Sequence, residues 1–143
     1  HVIARCVEIK AGVVERDERE SGVRAVLNYG HTFAHAIEKI TNYKKFLHGE
    51  AVAIGMVMAN ALARRLGKLS GEQEEKIRAV LQKFALPIKF HVEDAAEFYE
   101  LFFLDKKSEN GKIKFILPDG IGKFYTSKEI AKDEVIAALK EFE

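Results

Sequence analysis

Three histidines carry the first chemical question in this sequence. His31 and His35 stand four residues apart, and His48 follows beside Gly49 and Glu50. Residues at i and i+4 share one face of a helix, so the imidazoles of His31 and His35 can reach a common point while His48 arrives from the following turn. Neutral imidazoles and carboxylates are ordinary zinc ligands, and a catalytic zinc typically takes three protein ligands and keeps one position open. A lone histidine is more often a packed or surface residue than a ligand. Three on a polar stripe and its neighbouring turn point instead to a site. His91 and His1 have no such context and read as structural or surface residues.

The stripe extends both ways from the first pair. Arg24, Asn28, His31, His35 and Glu38 fall at steps of three or four, with Val26, Tyr29, Phe33, Ile37 and Ile40 opposed to them. This spacing predicts one helix from Val23 to about Thr41, apolar on one side and polar on the other. A packed helix keeps so many costly polar groups only where they face a cleft. Arg24 can clamp a carboxylate or phosphate through two parallel hydrogen bonds, and Asn28 can donate to an oxygen or accept from a hydroxyl. The plainer alternative is a surface pair between Arg24 and Glu20 at i,i+4. Lys10, Lys106 and Lys107 add positive charge only if the fold gathers them at the same cleft; otherwise they are solvated.

The elements that must position these groups are legible from periodicity and breakers. A first helix is predicted from about Ile3 to Arg16, with Val2, Ile3, Cys6, Val7, Ile9 and Val13 as its apolar positions and Gly12 inside it. The cluster from Glu15 to Glu20 reads as a solvated turn leading to Ser21-Gly22, a plausible cap. Glu50 to about Leu66, closed by Gly67, is apolar all round in its first turns and is expected to be buried on every side; it is too short and too polar at its end to span a membrane. Ser70 to Gln73 resembles a capped start for a helix whose apolar face is Ile77, Val80, Leu81 and Phe84, ended by Pro87. Asp94 can cap a helix packing Ala95, Phe98, Tyr99, Leu101 and Phe102 inward. After the polar turn Asp105 to Gly111, Ile113, Phe115 and Leu117 alternate with Lys112 and Lys114, and a second strand near Gly122 to Thr126 suggests a hairpin. Asp133 to Glu143 closes as an amphipathic helix with Val135, Ile136, Leu139 and Phe142. The fold class is mainly α, a multihelical array with a small β-hairpin.

Composition bounds the rest. With 143 residues, 48% of them hydrophobic, the chain can bury one respectable core, so residues 1–143 are expected to form one domain or part of a larger protein. The formal charge of +1, from 23 basic and 22 acidic residues mixed along the chain, provides no field for nucleic acid or an anionic membrane, and neither is expected as a partner. A single cysteine, Cys6, and no leader or spanning run point to a reducing, cytoplasmic setting. The start at His1, without Met or cap and already in helical rhythm, reads as a cut inside a longer protein or a processed terminus.

Several runs recur together in one known arrangement. Glu8-Ile9-Lys10, Asp17 to Glu20, Gly22-x-Arg24, Leu27-Asn28-x-Gly30-His31-Thr32-x-x-His35-Ala36-Ile37-Glu38 and Leu47-His48-Gly49-Glu50-Ala51-Val52-Ala53-x-Gly55-Met56, with Asp105-Lys106-Lys107, Gly111-Lys112 and Leu117-Pro118-x-x-Ile121-Gly122 after them, resemble the C-terminal half of the 3-dehydroquinate synthases. The likeness covers nearly the whole chain. It implies an NAD- and metal-dependent phosphate lyase and cyclase of the shikimate pathway, acting on a seven-carbon keto-acid sugar phosphate, DAHP. Oxidation at C5, loss of phosphate, re-reduction, ring opening and aldol closure would give 3-dehydroquinate. It also implies a divalent metal, zinc or cobalt, on His31 and His48; proton transfer or phosphate contact by His35; proton transfer by Glu20; and substrate binding by Lys10, Arg24, Asn28 and one or both of Lys106 and Lys107. His35 thereby moves from ligand, as its spacing suggests, to proton carrier. NAD would be held mainly by an N-terminal domain absent from this chain, and the full enzyme would be a homodimer. Ala34 stands where many relatives have Gly, a small departure. Nothing before Lys10 can supply the nucleotide-binding half or the carboxylate that completes the family's metal site, and Glu50 is not given that role. The fragment alone is therefore expected to be inactive. Two alternatives remain: another sugar-phosphate cyclase, of the inosose or valiolone synthase type, or a noncatalytic helical metal-binding or interaction module.

Overall fold

The computed structural model describes residues 1–19, 22–104 and 112–143. Along these the chain forms α1 (Val2–Arg16), a 3-10 turn (Val23–Asn28), α2 (His31–Ile40), α3 (His48–Arg65), α4 (Gly71–Lys83), α5 (Ala95–Leu101), β1 (Phe115–Pro118), β2 (Phe124–Ser127) and α6 (Lys132–Leu139). Short 3-10 turns extend α5 through Leu104 and α6 through Phe142. The mainly helical reading with a hairpin holds.

Small and apolar residues on every side make α3 the element on which the others pack. Ala51, Ala53, Ile54, Val57, Met58, Ala61 and Leu62 are all buried, and α2, α4, α6 and β1 surround the helix. A second layer of core lies beneath α2, where Phe33 meets Phe102 and Phe115 at ring-centroid distances of 5.4 and 5.8 Å and Phe98 joins through Phe102 at 5.7 Å. Each aromatic side chain so buried contributes about 1.5–3 kcal/mol relative to exposure, and the cluster fixes the inner face of α2 against α5 and β1. Local chemistry sets the helix starts as expected. Ser70 and Gln73 form a reciprocal capping box on α4, and the Asp94 carboxylate accepts from the N–H groups of Ala96 and Glu97 at the start of α5. The hairpin pairs Phe115 with Ser127 and Pro118 with Phe124 in antiparallel register.

Four expectations need correction. The stretch Val23 to Thr41 is not one helix: Tyr29 is extended and Gly30 left-handed at φ 80°, so Arg24 and Asn28 lie on a 3-10 turn while His31, His35 and Glu38 lie on α2. The cause is a backbone-to-backbone contact with α3. A Cβ on Gly55 would stand 2.1 Å from the Gly30 carbonyl oxygen and 2.9 Å from the Ala34 nitrogen, and one on Gly30 would stand 2.7 Å from the Met56 nitrogen. A continuous helix could not place its backbone there. The two-sided stripe fails at its end, since Glu38 is buried and Ile40 is 47% exposed. On α4, Leu81 is buried and Ile77 partly so, but Val80 and Phe84 face outward, because only a narrow strip of α4 meets α3. In the hairpin, alternation holds from Lys112 to Phe115, after which Phe115 to Pro118 are all buried. Among the described residues no helix is long and apolar enough to cross a membrane.

Candidate active site

The seam between α2 and α3 gathers the three histidines. Gly30 starts α2, which places His31 at its first position and His35 one turn later. At the other end the Thr41 hydroxyl donates to the Ile37 carbonyl at 2.8 Å, Asn42 and Tyr43 take left-handed conformations, and the Tyr43 N–H donates to the Glu38 carbonyl at 2.7 Å. This reverses the chain. Phe46 then packs against the core, and α3 opens at His48, where the Glu50 carboxylate accepts from the Leu47 N–H at 2.8 Å. Glu50 thus serves as a helix cap.

His31 and His48 have ring centroids 5.3 Å apart; His35 lies 5.9 Å from His31 and 6.4 Å from His48. Two imidazoles binding one zinc tetrahedrally, each through a Zn–N bond of about 2.0–2.1 Å, have centroids roughly 5 Å apart, so the first pair matches best. In each ring Nδ1 is held by an acceptor. His48 Nδ1–H donates to Glu38 Oε1 at 2.8 Å, and His31 Nδ1–H donates to the Tyr29 carbonyl at a longer 3.3 Å. A carboxylate and a carbonyl can only accept, which puts a proton on Nδ1; in the neutral ring the lone pair is then on Nε2, the arrangement of a metal-binding histidine. The donor chemistry fits a divalent metal but does not complete its shell. Among the described residues no group of three or more His, Cys, Asp or Glu side chains gathers closely enough to hold an ion.

The anion-binding candidates lie on α1 and on the 3-10 turn that leads into α2. Asp17 is buried, and its Oδ2 accepts from the N–H groups of Gly22 and Arg24, both at 2.8 Å, folding the segment after α1 onto the 3-10 turn. The Arg24 guanidinium donates to the Glu18 carbonyl at 2.7 Å, and half-buried Asn28 ends the same turn. Lys10 is exposed on α1, which packs on that turn. Glu20, Lys106 and Lys107 lie outside the described residues, as does the alternative Arg24–Glu20 pair. His91 borders a separate cleft of about 360 Å³ lined also by Ala61, Arg78 and Glu141, which contains none of the candidate residues.

Sequence reasoning missed four supports. Asp17 was taken with its neighbours as solvated, and Glu38 received no role. The other two are the Gly30–Gly55 contact and a buried pair in which the Tyr29 hydroxyl donates to Asn60 Oδ1. Burial pushes the Tyr29 phenol up to about 12, partly offset by that hydrogen bond, so it stays a donor. The pair pins the turn carrying Asn28 to α3. One signal was available: Asn60 interrupts the apolar run 51–63, where a buried amide demands a partner.

A family model described as 3-dehydroquinate synthase C-terminal matches residues 1–108. The chain is 60% identical over 143 residues to a 3-dehydroquinate synthase of Nitratiruptor sp. and 62% identical over 141 residues to one of Campylobacter fetus; it spans 41% of the length of each. Among solved structures, 2-epi-5-epi-valiolone synthase from Streptomyces hygroscopicus, with NAD+ and Zn2+ bound, superposes with a TM-score of 0.81 at 26% identity, covering 99% of this chain and 39% of that one. A 2-deoxy-scyllo-inosose synthase complexed with carbaglucose-6-phosphate, NAD+ and Co2+ gives 0.80 at 25% identity, covering 98% and 40%.

Proposed function

The chain belongs to the 3-dehydroquinate synthase C-terminal family, and on that premise we propose that residues 1–143 are the metal- and substrate-binding part of a 3-dehydroquinate synthase, converting DAHP to 3-dehydroquinate and phosphate once joined to an N-terminal NAD domain. The single observation carrying the site is the His31–His48 pair, drawn from two helices to a ring-centroid distance of 5.3 Å with each Nδ1 held by an acceptor. His31 and His48 would hold the metal, with a third ligand from outside this chain. A bound metal would supply Lewis-acid acidification of a substrate hydroxyl, and NAD would supply hydride acceptance and return.

The chain's own residues bind, orient and move protons. His35, on the same face of α2 as His31, carries a proton to or from the reacting sugar, a task suited to an imidazole whose ordinary pKa lies near neutrality; Glu20 is the second proton acceptor. Arg24, supported through its backbone by Asp17, and Lys10 take the substrate's carboxylate or phosphate. Asn28 donates to a substrate oxygen, and Lys106 and Lys107 add positive charge. The full enzyme is taken to be a cytoplasmic homodimer, a setting compatible with the single exposed thiol of Cys6.

The rival is a cyclase acting on another phosphorylated sugar. Valiolone and inosose synthases share the fold at about a quarter identity, whereas the 3-dehydroquinate synthase relatives reach 60% and more, and Arg24 and Lys10 suit a substrate carboxylate that those sugars lack. Full-length protein supplied with NAD and zinc is expected to release phosphate and form 3-dehydroquinate from DAHP and to stop on chelation of the metal. Phosphate release only from sugar phosphates that lack a carboxylate would replace this assignment with the rival.

A further inference from the structure

We propose that Glu38 is a positioning residue that fixes the His48 imidazole for metal binding. The proposal rests on the metal role given to His48 above. His48 opens α3 with 59% of its side chain exposed, and an imidazole there can turn among rotamers unless something holds it. Glu38 is the fixed partner, with its side chain only 10% exposed and Oε1 2.8 Å from His48 Nδ1. Its backbone is held as well, because the carbonyl accepts from the Tyr43 N–H at 2.7 Å and from the Thr41 hydroxyl at 3.2 Å. The carboxylate therefore sets both tautomer and ring direction: it keeps the proton on Nδ1 and presents the Nε2 lone pair to the metal. A carboxylate behind a ligating histidine also raises the basicity of the ligand. The bond is not needed to dock α2 on α3, since the Gly30–Gly55 contact and the buried Phe33 and Ile37 already do that. A buried carboxylate facing an exposed imidazole is a costly arrangement for a fold clasp and a useful one for a ligand.

The test is a zinc-affinity measurement by chelator competition on the full-length protein, together with the visible spectrum of the cobalt-loaded form. Glu38→Gln, equal in shape but without the charge, is expected to weaken zinc binding by about 10–100-fold and to shift the cobalt bands, while the melting temperature of the metal-free protein stays near wild type. In a His48→Ala background the same substitution should change affinity no further, as a double-mutant cycle reports. Wild-type affinity and spectrum in Glu38→Gln, with zinc lost in His48→Ala, overturn the role of Glu38 and leave the metal assignment standing. Undiminished zinc affinity in His48→Ala overturns the metal assignment itself. An equal loss from Glu38→Gln with and without His48 makes Glu38 a fold residue and also refutes the proposal. If Glu38→Gln does not fold, Glu38→Asp, which withdraws the oxygen from Nδ1, takes the same measurements with the same expected direction.

Discussion

The imidazole of His35 sits farther from His31 and from His48, at 5.9 and 6.4 Å between centroids, than those two sit from each other at 5.3 Å. Under the proposed assignment, that closer spacing marks His31 and His48 as the ligand pair and His35 as the proton carrier beside them. His35→Ala in the full-length enzyme should accordingly lower kcat by about 10²–10⁴-fold, the scale of a lost general acid–base group, with zinc content unchanged by elemental analysis. His31→Ala should lose zinc and activity together. Zinc loss from His35→Ala would return that residue to the ligand set. The histidines were legible in the sequence because their residue type is scarce and its chemistry narrow. Glu38 and Asp17 were not, because a carboxylate in a charged or polar run looks the same whether it meets water or a buried N–H. What decides is backbone geometry: the left-handed turn at Asn42 and Tyr43 for Glu38, and the fold of the segment after α1 for Asp17.

At the scale of elements, the α2–α3 seam depends on two glycines. The 2.1 Å separation between a Cβ at position 55 and the Gly30 carbonyl oxygen cannot be relieved by rotating a side chain, because the obstacle is backbone. Gly55→Ala should push the start of α2 away from α3, cost about 1–3 kcal/mol or more through overpacking, and part His31 from His48. A lowered melting temperature with weakened zinc binding is the expected result, and a protein unchanged in both would refute the contact. Gly12→Ala is the control: nothing lies within 4 Å of its Cβ position, so it should stabilise α1 by roughly 0.5–1 kcal/mol. Caps at Ser70 and Asp94 and the buried character of α3 could be read from sequence since they follow from neighbouring residues alone. The break at Gly30 could not, because the polar residues kept helical spacing across it and the cause lies in α3, 25 positions further along. Val80 and Phe84 fit the same account: spacing gives a helix its apolar face, but only the packed neighbour determines how much of that face is covered.

Across the whole molecule the core and the candidate site are separate. Phe33, Ile54, Leu62, Phe98, Phe115 and Leu139 join α2, α3, α5, β1 and α6 into one buried cluster, and Arg64 on α3 reaches Glu74 on α4 at 2.7 Å and Glu141 after α6 at 2.5 Å. None of these contacts passes through the histidines, which line a partly exposed seam at one edge of that core. Small domains whose only core is their zinc site unfold without the metal; this architecture predicts the opposite. Chelation should leave the far-ultraviolet circular dichroism of the full-length protein intact while abolishing turnover. The protein's stability should fall only by the linkage contribution of a bound ion, about 4 kcal/mol at a thousandfold excess over its dissociation constant, read as a lowered melting temperature. Loss of helical signal on chelation, regained with zinc, would mean that the metal holds α2 and α3 together. In that case the glycine contact and the aromatic cluster could not be what docks them.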